Sequence, residues 1–102
     1  MLNNDELNPA DILVVEDEPK LAALLRNYLQ AAGHRVTCLD NGLTVVRAVR
    51  AAEPQLILLD IMLPGRDGLD ICRELRSFSE VPIMLITARV EEVDRLLGLD
   101  LG

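Results

Sequence analysis

The segment Gln55-Leu56-Ile57-Leu58-Leu59-Asp60, running on into Ile61-Met62-Leu63-Pro64-Gly65-Arg66-Asp67-Gly68, decides the fold. Leu56 to Leu59 are apolar without alternation, the mark of a strand buried on both faces of a parallel sheet. Runs of similar character occur at Asp11 to Val15 (DILVV), Arg35 to Leu39 (RVTCL) and Val81 to Thr87 (VPIMLIT). Helical patterns separate them. Leu21, Leu24, Leu25, Tyr28 and Leu29 fall at i, i+3, i+4, i+7 and i+8 and form one stripe, which places Tyr28 in the core. Pro19 opens this helix and Gly33 closes it. A second helix is expected from Leu43 to Ala52 with Val45, Val46 and Val49 inward. A third is expected from Leu69 to Ser77 with Leu69, Cys72 and Leu75 inward, and a fourth opens near Glu91. The order β-α-β-α-β-α-β-α implies a right-handed, doubly wound parallel α/β layer fold.

Composition bounds the function. The chain has 102 residues, 50% hydrophobic and 26% charged, which fits one small domain with a core. Ten Lys and Arg stand against 17 Asp and Glu, a net charge of −7, and the cations do not cluster, so nucleic-acid binding by this stretch is rejected. One Phe, one Tyr and no Trp leave no stacking platform for single strands or sugars. No apolar run approaches the roughly 20 residues of a membrane span. The acidic, polar start does not read as a secretory signal. Residues 1–10 are expected to be a disordered acidic leader on a cytoplasmic protein. Cys38 and Cys72 lack CxxC spacing and read as reduced, half-buried thiols.

In a doubly wound sheet, ligands sit outside the carboxyl ends of the strands, so the chemistry is expected just after each strand. Glu16, Asp17 and Glu18 follow the first strand, Asp60 ends the third, and Thr87 with Ala88 ends the fourth. If the first and third strands are neighbours, Glu16, Asp17 and Asp60 converge, and like charges so close must raise a pKa or recruit a cation. Carboxylates with no His or thiolate suit Mg²⁺. Asp60 is then a carboxylate beside a metal, placed to attack phosphorus. Thr87 offers a hydroxyl to a phosphoryl oxygen, and a main-chain carbonyl near Met62 is placed to complete the metal shell. Arg66 and Asp67 read as solvated turn charges, Asp40 and Asn41 as a turn and helix cap, and His34 as a surface turn residue.

Glu16-Asp17-Glu18-Pro19, Leu58 to Gly68 (LLDIMLPGRDG) and Ile86-Thr87-Ala88-Arg89 together resemble the motifs of response-regulator receiver domains of two-component systems. The Leu-Pro-Gly-x-Asp-Gly loop is similar to that of the OmpR/PhoB branch, whose members join a receiver to a winged-helix DNA-binding domain. The resemblance implies a flavodoxin-like (receiver, CheY-like) fold over residues 11–102. It makes Asp60 the phosphoacceptor, Glu16 and Asp17 the acidic pair that holds Mg²⁺ directly or through water, Met62 a main-chain metal ligand and Thr87 the switch hydroxyl. It implies a sensor histidine kinase as phosphoryl donor, homodimerisation of the intact protein, DNA binding by a C-terminal domain, and no enzymatic role beyond slow self-dephosphorylation.

The family's fifth strand with its Lys, the aromatic switch residue before it and the fifth helix do not follow Gly102. The sequence therefore reads as a receiver incomplete at its C-terminus, with weakened phosphorylation and an apolar fourth strand that invites pairing or swapping between copies. Glu91, Glu92 and Asp94 suit the start of the fourth helix and, with Arg89 and Arg95, also suit a dimer face.

Three other functions fit the sequence less well. A Mg²⁺-dependent phosphohydrolase with Asp60 as nucleophile wants a second carboxylate two residues on, where Met62 stands. A flavodoxin-like cofactor binder wants a Gly- or Ser/Thr-rich phosphate loop after the first strand, where Glu16-Asp17-Glu18 repels a phosphate unless a metal intervenes. A receiver-like interaction module that is not phosphorylated has no need of the acidic pair, Asp60 and Thr87.

Overall fold

A computed structural model describes residues 9–86. Four strands, β1 (Asp11–Val15), β2 (Arg35–Leu39), β3 (Leu56–Asp60) and β4 (Ile83–Ile86), form one parallel sheet in the order β2-β1-β3-β4. The helices are α1 (Pro19–Ala31), α2 (Val45–Ala52) and α3 (Gly68–Arg76), and a 3-10 turn over Gly42–Thr44 leads into α2. The doubly wound parallel fold expected from the sequence is the one observed. Among the described residues no helix is long and apolar enough to cross a membrane.

The central strands β1 and β3 are covered on both faces, which is why they read as unbroken apolar runs, whereas Met84 and Leu85 of β4 are exposed and β2 is only half-buried. Leu13 and Val15 of β1, with Ile57 and Leu59 of β3, pack on Val45 and Val49 of α2 and Ile71 and Leu75 of α3. Their neighbours Ile12, Val14 and Leu58 point the other way and meet Leu25 and Leu29 of α1. Each such side chain, fully buried, contributes roughly 1.5 to 3 kcal/mol.

Local chemistry sets the helix ends. Glu18 caps α1 by accepting the Lys20 N–H at 3.0 Å, Pro19 follows where no amide donor is lost, and Gly33 (φ +98°) turns the chain into β2. Asp67 caps α3 through the Leu69 N–H at 2.7 Å.

Several expectations are corrected. Tyr28 and Leu24 are 77% and 61% exposed, so Tyr28 is not in the core. The contact stripe of α1 on the sheet runs through Leu25 and Leu29, and a residue one position away is rotated by about 100°. In α3 the inward residues are Gly68, Ile71 and Leu75, while Leu69 is 44% exposed and Cys72 half-buried. Gly68 sets that rotation: a Cβ there would lie 2.8 Å from the Asp60 carbonyl oxygen, so the face of α3 without a side chain is pressed on the end of β3. Leu43 belongs to the 3-10 turn and is exposed, so α2 begins at Val45.

The expected leader over residues 1–10 lies outside the described residues up to residue 8. Ala10 is tied to the sheet, its N–H donating to His34 Nδ1 at 3.1 Å and its carbonyl accepting from the Arg35 N–H at 2.9 Å. His34 is therefore an anchor for the start of β1. The expected fourth helix with Arg89, Glu91, Glu92, Asp94 and Arg95 lies outside the described residues.

Candidate metal and phosphoacceptor site

The chain leaves β1 for α1 on one face of the sheet and β3 for α3 on the other, so a crevice opens between the carboxyl ends of these adjacent strands. Val15 and Leu59 are register partners, and the residue that follows each of them is acidic. Glu16 and Asp60 are thereby set side by side, each only 2% exposed, with the exposed Asp17 above them. Carboxylate oxygens of all three lie within 4.8 Å of one another. At such a separation two unit charges repel by roughly 3 kcal/mol at an effective dielectric near 20.

Glu16 bears most of that conflict. Its Oε2 accepts the Glu18 N–H at 2.9 Å, but Oε1 is buried with no hydrogen-bond partner among the described residues. Burial, reinforced by Asp60 and Asp17 and only partly opposed by the Glu18 N–H, pushes its pKa up to about 7. On Asp60, Oδ1 accepts the Met62 N–H at 2.9 Å, and no hydrogen bond among the described residues reaches Oδ2.

Residues 61–67 arch over an open cleft of about 520 Å³ that Asp17 also lines. Met62 thus stands beside the acidic cluster, and its side chain is 44% exposed. Arg66 and Asp67, expected to be idle turn charges, are structural: Arg66 Nη1 pairs with Glu74 Oε1 at 2.5 Å, and Asp67 is the cap of α3. Three hard oxygen donors, one a buried oxygen without a partner, fit a divalent cation such as Mg²⁺. Thr87 lies outside the described residues.

The sequence model of the response regulator receiver domain matches residues 12–102. The chain belongs to the response regulator receiver family. This receiver is 56% identical over 98 residues to the transcriptional regulatory protein BaeR of Escherichia coli O6:H1, an alignment that covers 96% of this chain and 40% of BaeR. The chain thus spans well under half the length of that regulator. Among solved structures, it is similar to the BeF3-activated N-terminal receiver domain of Klebsiella pneumoniae RstA, at 36% identity and a TM-score of 0.75 over 88% of this chain and 77% of that one. It is also similar to the receiver domain of a Pseudomonas aeruginosa sensor histidine kinase that has a magnesium ion in its active-site cleft, at 34% identity and a TM-score of 0.76, over 93% and 80% of the two chains.

Proposed function

We propose that this receiver, occupying residues 11–102, is the phosphoacceptor unit of a DNA-binding response regulator and takes a phosphoryl group from a sensor histidine kinase on Asp60. The observation that carries the reading is the pairing of two buried carboxylates at adjoining strand ends, one with an oxygen that has no partner among the described residues. The likeness to a transcriptional regulator supports the DNA-binding context.

Glu16, Asp17, Asp60 and the Met62 main-chain carbonyl would hold the cation. When bound, Mg²⁺ neutralises the clustered carboxylates and draws negative charge from the phosphoryl oxygens. Asp60 supplies the nucleophile: the Met62 N–H holds Oδ1, which leaves Oδ2 as the attacking oxygen. The new O–P bond forms as the P–N bond to the kinase imidazole breaks. The electron pair of that bond stays on the imidazole nitrogen, which is protonated from solvent. Thr87, one residue past β4, turns its hydroxyl to the roughly 1.5 to 2 added negative charges and carries the switch. In the intact protein, cytoplasmic and homodimeric, this switch governs a C-terminal DNA-binding domain. Hydrolysis of the aspartyl phosphate by the chain itself is slow.

Incubation with acetyl phosphate and Mg²⁺, read by intact-mass spectrometry, tests the assignment. We expect one phosphoryl group on the wild type and none on Asp60→Asn. Equal labelling of the two proteins refutes it.

A further inference from the structure

The loop that carries Met62 is fastened at three places. At its base the Gly68 N–H donates to the Ile61 carbonyl at 3.2 Å. On one flank Arg66 pairs with Glu74 of α3. At its tip it meets a different part of the chain, the Asn41-Gly42 junction between β2 and α2.

That third contact is unusually close. The Gly42 N–H donates to the Pro64 carbonyl at 3.0 Å. Gly42 is buried, and a Cβ there would lie 2.7 Å from the Arg66 carbonyl oxygen and 3.0 Å from Ile71 Cδ1. Gly65 (φ +89°) reciprocates, because a Cβ there would collide with Asn41 Oδ1 and lie 2.9 Å from Leu43 Cγ. Asn41 is itself fixed, its Oδ1 accepting the Leu43 N–H at 2.7 Å. Two glycines thus let two loops touch backbone to backbone, on the loop that follows the phosphoacceptor.

We propose that Asn41 and Gly42 are positioning residues for the cation site, holding the tip of the β3–α3 loop so that the Met62 main chain is set before the ion arrives. Mg²⁺ demands near-ideal octahedral geometry, so a ligand that must first be ordered binds it more weakly. Neither residue belongs to the acidic cluster, and the junction reaches Met62 only through Pro64, Gly65 and Arg66. The inference rests on the reading of Glu16, Asp17, Asp60 and Met62 as the metal site.

The decisive variant is Gly42→Ala, compared with Gly33→Ala. Gly33, unlike Gly42, has a positive φ and nothing within 4 Å of a Cβ, so its substitution strains the backbone without touching the loop. Three quantities are measured: Mg²⁺ affinity by calorimetry, hydrogen exchange of the Met62, Leu63 and Gly65 amides without metal, and urea stability. We expect Gly42→Ala to weaken Mg²⁺ binding about tenfold, as loss of a supporting partner does at metal sites, and to speed exchange in the loop. Gly33→Ala should lower stability yet leave affinity and loop exchange unchanged.

Should Gly42→Ala not fold, Asn41→Ala replaces it, with Asn41→Ser as the rescue that keeps an oxygen for the Leu43 N–H. The same losses are expected in the first and not in the second. Folded Gly42→Ala or Asn41→Ala with wild-type affinity and exchange overturns the proposal, as does an equal loss in Gly33→Ala. If wild type does not bind Mg²⁺, or Asp17→Asn binds it equally well, the site reading falls and takes the proposal with it. Wild-type binding beside an unaffected junction variant removes the junction's role alone.

Discussion

Glu16 is held as a proton-binding group until something replaces the proton. Its ordinary value of 4.5 is pushed up to about 7, first by burial and then by Asp60 and Asp17. Between those two values the folded chain holds a proton that the unfolded chain has released, so stability falls as pH rises. The contribution is fully present below about 4.5 and is lost as pH passes through about 7. We therefore expect the metal-free protein to unfold at lower urea at pH 8 than at pH 5, and Glu16→Gln, which keeps the shape without the charge, to flatten that slope. A slope unchanged in Glu16→Gln assigns the pH dependence elsewhere. Mg²⁺ competes with the same proton, so its affinity should rise over this range. The presence of these carboxylates at strand ends was legible in the sequence, since Asp60 closes an apolar run and Glu16 follows another. That Glu16, not Asp17, is buried with an orphaned oxygen was not, because sequence order says nothing about which of two adjacent side chains turns inward.

The helices show how far periodicity reaches. The spacing of Val45, Val46 and Val49 identified the inward face of α2 correctly, with Val45 and Val49 buried and Val46 packed beside them, although the helix begins two residues later than expected. In α3 the expected stripe was rotated by one residue. Leu69, Cys72 and Leu75 and the observed Gly68, Ile71 and Leu75 both keep helical spacing, and hydrophobicity alone favours a leucine over a glycine. Close approach of α3 to the end of β3 selects the glycine. This difference is measurable. Ile71→Ala should cost about 2 to 4 kcal/mol, the usual range for emptying a core site, because Ile71 is fully buried. Leu69→Ala, at a position 44% exposed, should cost well under half as much. Urea denaturation of the two variants decides it, and equal losses would restore the rotated stripe. Arg66 shows the same limit, since its partner Glu74 lies eight residues away on a helix whose rotation the loop itself helps to set.

For the molecule as a whole, the net charge of −7 is concentrated in consequence, if not in number, at one crevice. A cation bound there by the folded chain alone stabilises it by mass action, about 2.7 kcal/mol at a hundredfold excess over the dissociation constant. For a domain near 100 residues that is a rise of about 10 °C or more in Tm. Scanning calorimetry with Mg²⁺ against a chelator measures it. Asp17→Asn should lose most of the gain, and a Tm indifferent to Mg²⁺ in the wild type rules out the site.

The sequence by itself determined the alternation of elements, the parallel sheet and the acidic strand ends, because burial on two faces and chain-local turn chemistry are written in neighbouring residues. Tertiary structure decided which strands adjoin, and so that Glu16 stands against Asp60 across register partners 44 residues apart. It also decided the rotation of α1 and α3 and the meeting of Gly42 with the Pro64–Arg66 segment. Those outcomes depend on close packing between segments far apart in the chain, where a missing methyl group on one side is meaningful only once the other side is in place.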